Sequence, residues 1–242
     1  MFHTTAVAPT SPEINCSFCH APRQGATNAE VREAILKLHD KKFETHLYEQ
    51  RPVLCGSCHA SNALGTKGEP GVKSLSEAGH GAHASRMALV KSKIDISCYA
   101  CHPGPKTRCL RGVMSQQGIV CQDCHGDEAT VAKSIAEGRQ PWLQEPTCES
   151  CHGEKLGRAT KTKITEHVYA AGFDQLYRNR KGHGGVYCAA CHGSPHAILP
   201  AGLKKYNAPI ARLQGHEGPL GECTVCHTEK PEGEFKHLAL NP

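Results

Sequence analysis

Apolar residues are sparse along this chain, and in only a few windows do they fall on a helical period. The clearest window is 28–49, where Val31, Ile35, Leu38, Phe43 and Leu47 recur at steps of three to five and approximate one face. The pattern predicts a helix across the whole window. His39 and His46 then lie on or near one face, two turns and about 10 Å apart along the axis. Shorter helices are predicted at 75–91, 128–137 and 162–178. Strand signals are weak everywhere, and 24 Gly and 15 Pro punctuate the rest into irregular chain. The expected fold class is mostly irregular with short α-helices and little or no β-sheet. No Pro-, Gly- or Ser-rich linker divides the sequence, so a single domain spanning 1–242 is the expected organisation.

Composition makes that domain a physical problem. Leu, Ile, Val and Phe make up less than a fifth of the residues, the range of disordered chains, and there is one Trp. A bare polypeptide of this kind cannot bury enough apolar surface to offset its conformational entropy. Something other than aliphatic side chains has to form the core.

The candidate is written into the sequence seven times as Cys-x-x-Cys-His. The copies are Cys16/Cys19/His20, Cys55/Cys58/His59, Cys98/Cys101/His102, Cys121/Cys124/His125, Cys148/Cys151/His152, Cys188/Cys191/His192 and Cys223/Cys226/His227. They recur at irregular intervals with nothing else repeating, so they form an array of sites rather than a solenoid. Two thiols three positions apart can form thioethers with the two vinyl groups of one porphyrin, and the adjacent His can ligate its iron. The expectation is seven covalent haem c groups that themselves constitute the core, with an apo chain that is unfolded. Zinc knuckles also use paired cysteines, but they want pairs of pairs and no His directly after the second Cys; here the number of motifs is odd and every copy has that His. A disulfide framework would likewise place no His at a fixed offset.

The haems change the reading of charge. The formal net charge is +5, yet seven ferric haems with ionised propionates take it to about −2, which removes the case for a nucleic-acid partner. Haem c is attached outside the bacterial cytoplasm, so an extracellular or cell-surface location is expected, with the periplasm as the alternative. Residues 1–14 lack the basic and apolar regions of an export signal, which is expected to have been removed or to lie in a longer chain. No stretch approaches the ~20 apolar residues of a membrane span.

Ten His lie outside the motifs, enough to supply sixth ligands to seven irons, whereas Met, the usual alternative, occurs only at 1, 87 and 114. Low-spin bis-His iron is therefore expected, with His46, His80, His83, His167, His183, His196 and His216 as distal candidates and His39 close behind. Between Cys98 and His152 there is no spare His, so the third, fourth and fifth motifs must draw ligands from outside that stretch. The nearest suppliers are His80, His83, His167 and the pair His39/His46. His3 and His237 sit near the termini, where the ordinary reading is solvent exposure. The other reading is a ligand to a haem of a neighbouring copy, a head-to-tail contact that propagates a filament. Cys109 is the leftover thiol. It reads first as an inert buried Cys, otherwise as half of an intermolecular disulfide or a residue set against a haem.

Three stretches resemble multihaem c-type cytochromes of anaerobic periplasmic and extracellular electron transfer. They are Cys101-His-Pro-Gly-Pro-Lys-Thr-Arg-Cys109-Leu-Arg-Gly running on to Cys121-Gln-Asp-Cys-His-Gly, Gly182-His-Gly-Gly-Val-Tyr-Cys-Ala-Ala-Cys-His-Gly-Ser-Pro-His196, and Leu213-Gln-Gly-His216 ahead of Cys223-Thr-Val-Cys-His227. The resemblance implies that His183, His196 and His216 are axial ligands. Some members of that group polymerise into nanowires with continuously stacked haems. The function expected is electron transfer rather than catalysis. Partners would be other cytochromes or redox proteins, copies of the chain itself, or an extracellular mineral or electrode. The rival reading is a multihaem reductase of nitrite, hydroxylamine or a sulfur oxyanion, which would keep one iron open; a third is electron storage.

Overall fold

The computed structural model describes residues 16–87, 97–102, 109–154, 156, 158–161, 163–164 and 169–233. His3, His167 and His237 lie outside the described residues, as does the end of the helix expected at 75–91. The described residues form two compact units, 16–102 and 109–233.

In the first unit, α1 (Ser17–His20) and α3 (Cys55–Cys58) are single turns, and the longer helices are α2 (Asn28–Phe43) and α4 (Leu75–Met87). α2 begins at a capping box. The Thr27 hydroxyl accepts from Glu30 N at 3.3 Å, and the Glu30 carboxylate accepts from Thr27 N at 2.7 Å. The helix stops at Phe43, six residues short of the sequence expectation, because Glu44 turns into the left-handed region at φ 54°. The Asp40 carboxylate holds the turn, accepting from the Thr45 hydroxyl and from Leu47 N and Tyr48 N. His46 therefore leaves the helix and does not share a face with His39. Of the predicted apolar face only Val31 is buried, whereas Leu38 and Phe43 are 52% and 58% exposed.

α4 has a hydroxyl cap, Ser74 Oγ accepting from Glu77 N at 3.1 Å, but carries Gly79 and Gly81 in its interior. Each costs about 1 kcal/mol of helix stability relative to Ala. A Cβ at either position would meet nothing within 4 Å beyond its chain neighbours and the helix's own backbone, so packing gives no reason for them.

The second unit holds α5 (Val113–Gln116), α6 (Cys121–His125), α7 (Glu128–Ala136), α8 (Glu149–His152), α9 (Cys188–His192) and α10 (Lys204–Gln214). α7 matches its expectation within a residue, with the Asp127 carboxylate accepting from Thr130 N at 2.8 Å. The helix expected at 162–178 is not formed in its described part. Tyr169–Ala170 instead pairs antiparallel with Glu145–Pro146, and Phe173–Gln175 is a 3-10 turn. α10 is an addition to the expected helices and carries Pro209 in its interior. It is held by Asn207, the most deeply buried polar side chain, whose amide accepts from Ala201 N at 2.7 Å and donates to Ala201 O at 2.9 Å and Glu217 Oε2 at 3.1 Å. One two-residue strand pair among short helices and irregular chain agrees with the expected fold class.

Buried apolar side chains are few. In the first unit, among the described residues, they are Val31, Met87 and Tyr99; in the second, Cys109, Ile135, Ile164, Ala170, Leu176, Ala197, Leu199 and Ala201. At roughly 1.5–3 kcal/mol for a large side chain, such sets fall far short of the ordering entropy of segments this long.

Acid should loosen α2 first at its N-terminus. The Glu30 carboxyl is held down at about 2, chiefly by the Thr27 N–H and then by Arg23 and the Thr27 hydroxyl. A depressed pKa contributes stability that is complete above the unfolded value near 4.5 and disappears as pH falls through about 2. Amide protection at Glu30 and Val31, measured by hydrogen exchange, is expected to fall across that window, and Glu30→Gln should abolish the pH dependence.

Candidate functional site

Every Cys-x-x-Cys-His copy winds into one helical turn, either a short α-helix or, at Ser97–Ala100 and Cys223–Val225, a 3-10 turn. The same hydrogen bond closes it each time. The His amide donates to the carbonyl of the first Cys at 2.8 Å in Cys16–His20, and at 2.9 Å from His59 to Cys55, His102 to Cys98, His152 to Cys148 and His227 to Cys223. Positions i, i+3 and i+4 of one turn share a side, so two thiols and an imidazole emerge together. None of the fifteen cysteines is paired in a disulfide. Burial pushes the thiols of Cys124 and Cys148 up to about 11.

Five motif histidines each face a histidine from outside the motifs. Ring centres lie 6.1 Å apart for His20 and His83, 6.3 Å for His59 and His39, 5.9 Å for His102 and His80, 6.0 Å for His125 and His196, and 5.9 Å for His227 and His183. Two imidazoles on opposite sides of one metal ion, with bonds of about 2 Å and about 1 Å more from nitrogen to ring centre, stand about 6 Å apart. Direct stacking would bring such rings closer.

The rings are also oriented. Nδ1 of His59 lies 2.7 Å from Lys73 O, that of His80 2.8 Å from Ser76 O, and that of His83 2.8 Å from Gly79 O. A carbonyl can only accept, so these nitrogens carry the proton and Nε2 keeps its lone pair, as a metal-ligating His requires. His39 Nδ1 is 2.9 Å from the Thr45 hydroxyl, and His196 Nδ1 is 3.4 Å from Cys109 Sγ. Burial, and then the facing ring, hold His20 and His102 below the usual imidazole pKa, which favours the neutral form that binds metal.

Of the distal candidates, His39, His80, His83, His183 and His196 thus stand opposite a motif ring. His46 and His216 do not. The Glu44 turn swings His46 onto the surface. His216 lies exposed just past the left-handed Gly215 that ends α10; its Nδ1 bonds Glu217 O at 3.0 Å and its Nε2 lies 3.4 Å from Glu222 Oε1. His125 faces His196, not one of the histidines nearest to it in sequence.

His196 is brought there by a backbone clasp that the sequence did not announce. Arg111 N donates to His196 O at 2.8 Å, Val113 N to Ile198 O at 2.9 Å and Gly202 N to Arg111 O at 3.0 Å. The strands of the clasp approach so closely that a Cβ on Gly112 would come within 2.4 Å of Ile198 N. Cys109 is buried beside this clasp.

What could these residues hold? Among the described residues no three His, Cys, Asp or Glu converge as a tetrahedral zinc site needs. Facing pairs of rings instead leave the plane between them for a macrocycle. Apolar side chains next to attachment motifs in the chain lack protein cover: Leu54, directly before Cys55, is 64% exposed, and Val186 and Tyr187, directly before Cys188, are 42% and 44% exposed. A haem c fits this donor set, with two thiols for its vinyl groups, two imidazoles for its iron and apolar residues at its edge.

The chain matches no protein-family model, no curated protein and no solved structure. Among the described residues no helix is long and apolar enough to cross a membrane.

Proposed function

We propose that this chain is an electron-transfer protein of the multihaem c-type cytochrome class, holding seven haems and working outside the cytoplasm. The observation that carries the reading is the set of five facing imidazole pairs, each joining a motif His to a non-motif His at ring spacings of 5.9–6.3 Å. Cys16 and Cys19 with His20 and His83 would hold one haem, and Cys55 and Cys58 with His59 and His39 a second. Cys98 and Cys101 with His102 and His80 would hold a third. In the second unit, Cys121 and Cys124 would act with His125 and His196, and Cys223 and Cys226 with His227 and His183. The turns at Cys148–His152 and Cys188–His192 supply two more attachment sites.

Haem iron supplies reversible one-electron chemistry when bound. The protein's part is to fix both axial rings and to orient them through Nδ1. At these five sites, closing both faces of an iron in this way would leave no coordination position for a substrate, which supports electron transfer there. The two-nitrogen donor set keeps potentials below those that a Met ligand would give. Electron partners would be other redox proteins, further copies of this chain or an extracellular acceptor.

Intact-mass measurement of the chain made in a host that attaches haem c should give the polypeptide plus seven haems, and electron paramagnetic resonance of the ferric protein should be low-spin throughout. Fewer than seven attached groups, or zinc in their place, would refute the proposal.

A further inference from the structure

The two glycines inside α4 are unexplained by the polypeptide, and the helix that contains them also carries two of the facing rings. His80 and His83 lie three positions apart, about 4.5 Å along the axis, and face His102 and His20 respectively. One helix therefore serves two attachment motifs that are far apart in sequence. Each ring leans back along the helix, its Nδ1 bonded to the carbonyl four residues earlier, Ser76 O for His80 and Gly79 O for His83. Gly79 is thus the residue whose carbonyl holds the His83 ring, and it lies one turn before His83 on the same side of α4. Ala is the better helix former, and no protein atom lies within 4 Å of where its Cβ would stand. Gly81 also has open space, but lies about 160° round the helix from His83, on another face.

We propose that Gly79 is the clearance residue of α4: by carrying no Cβ one turn before His83 on the same side of the helix, it would let the haem held by Cys16, Cys19 and His20 lie against the helix with His83 as its second axial ligand. The inference rests on the haem reading above. It adds a positioning role for a residue without functional side-chain atoms. It also makes α4 a bracket that sets the haems of the first and third motifs beside each other, out of sequence order.

Substitution should separate clearance from helix propensity because the two act in opposite directions. In the full-length haem-loaded protein, Gly81→Ala should raise the melting midpoint and leave every iron low-spin. Gly79→Ala should retain seven attached haems by mass but show one iron in seven as high-spin in the paramagnetic resonance spectrum. A Gly79→Ala protein that is wholly low-spin and stabilised like Gly81→Ala would overturn the proposal. If Gly79→Ala does not accumulate, His83→Gly provides the test: free imidazole should restore its low-spin signal, and adding Gly79→Ala should block that restoration. Equal restoration with either residue at 79 would count against clearance while leaving the haem reading intact. A wild-type chain with no haem on Cys16 and Cys19 would sink both.

Discussion

Produced without haem attachment, this chain should be unfolded. Far-ultraviolet circular dichroism should show little helix and no cooperative melting, whereas the loaded protein should melt cooperatively. The expected loss is the entire folding free energy, about 5–15 kcal/mol for a protein of ordinary stability. In the first unit the described buried apolar side chains are Val31, Met87 and Tyr99, while Leu38, Phe43, Leu54 and Leu64 are each more than half exposed. Helices such as α2 and α4 are near the length at which isolated helices are marginal in water, and α4 is further weakened by its glycines. Covalent haems would supply apolar surface for the exposed side chains and would tie His39, His80 and His83 to motifs elsewhere in the chain. An apo protein with native helix content and a sharp thermal transition would contradict this account.

The second large effect concerns individual irons. His80→Ala should convert one iron of seven to high-spin, that of Cys98 and Cys101, and open it to cyanide or imidazole. His83→Ala should do the same to the iron of Cys16 and Cys19, and the double variant should open two. His39→Met should keep the iron of Cys55 and Cys58 low-spin but raise one of the seven midpoint potentials, because a thioether stabilises the ferrous state relative to imidazole. By contrast, His46→Ala and His216→Ala, which change exposed residues facing no motif ring, should leave the spectra unchanged and move stability by no more than about 0.5 kcal/mol. Paramagnetic resonance with spin quantification and a spectroscopic redox titration read all of these. A high-spin signal in His46→Ala, or none in His80→Ala, would show that the pairing is wrong.

These contrasts mark where sequence reasoning ran out. His39 and His46 look equivalent on a periodic plot, and both were ranked as ligands. The difference lies in Glu44 adopting a left-handed conformation and in Asp40 accepting three hydrogen bonds from Thr45, Leu47 and Tyr48. None of these residues is an obligatory helix stop. His216 is a candidate both as a spare His and through the resemblance, and the end of α10 leaves it among Glu217 and Glu222. α10 carries Pro209, a residue that argues against a helix interior. It forms around Asn207, whose three hydrogen bonds reach Ala201 and Glu217, six and ten residues away and outside any cap pattern. At 162–178 the apolar spacing looked helical, but Tyr169 and Ala170 found backbone partners at Pro146 and Glu145.

The Cys-x-x-Cys-His turns were legible from the chain alone because their logic is local. Cys, Cys and His at i, i+3 and i+4 come to one side of any single helical turn, and the closing hydrogen bond lies within five residues. The starts of α2 and α7 were legible for the same reason, since caps such as Asp127 act over three positions. Which distal ring faces which motif was decided only in three dimensions. His196 reaches His125 across 71 residues through the clasp of Arg111, Gly112 and Val113 on 196–202, and His83 reaches His20 because α4 packs where it does. A contact between residues that distant depends on backbone pairing and packing summed over many intervening positions, and no short pattern of residue types encodes that sum.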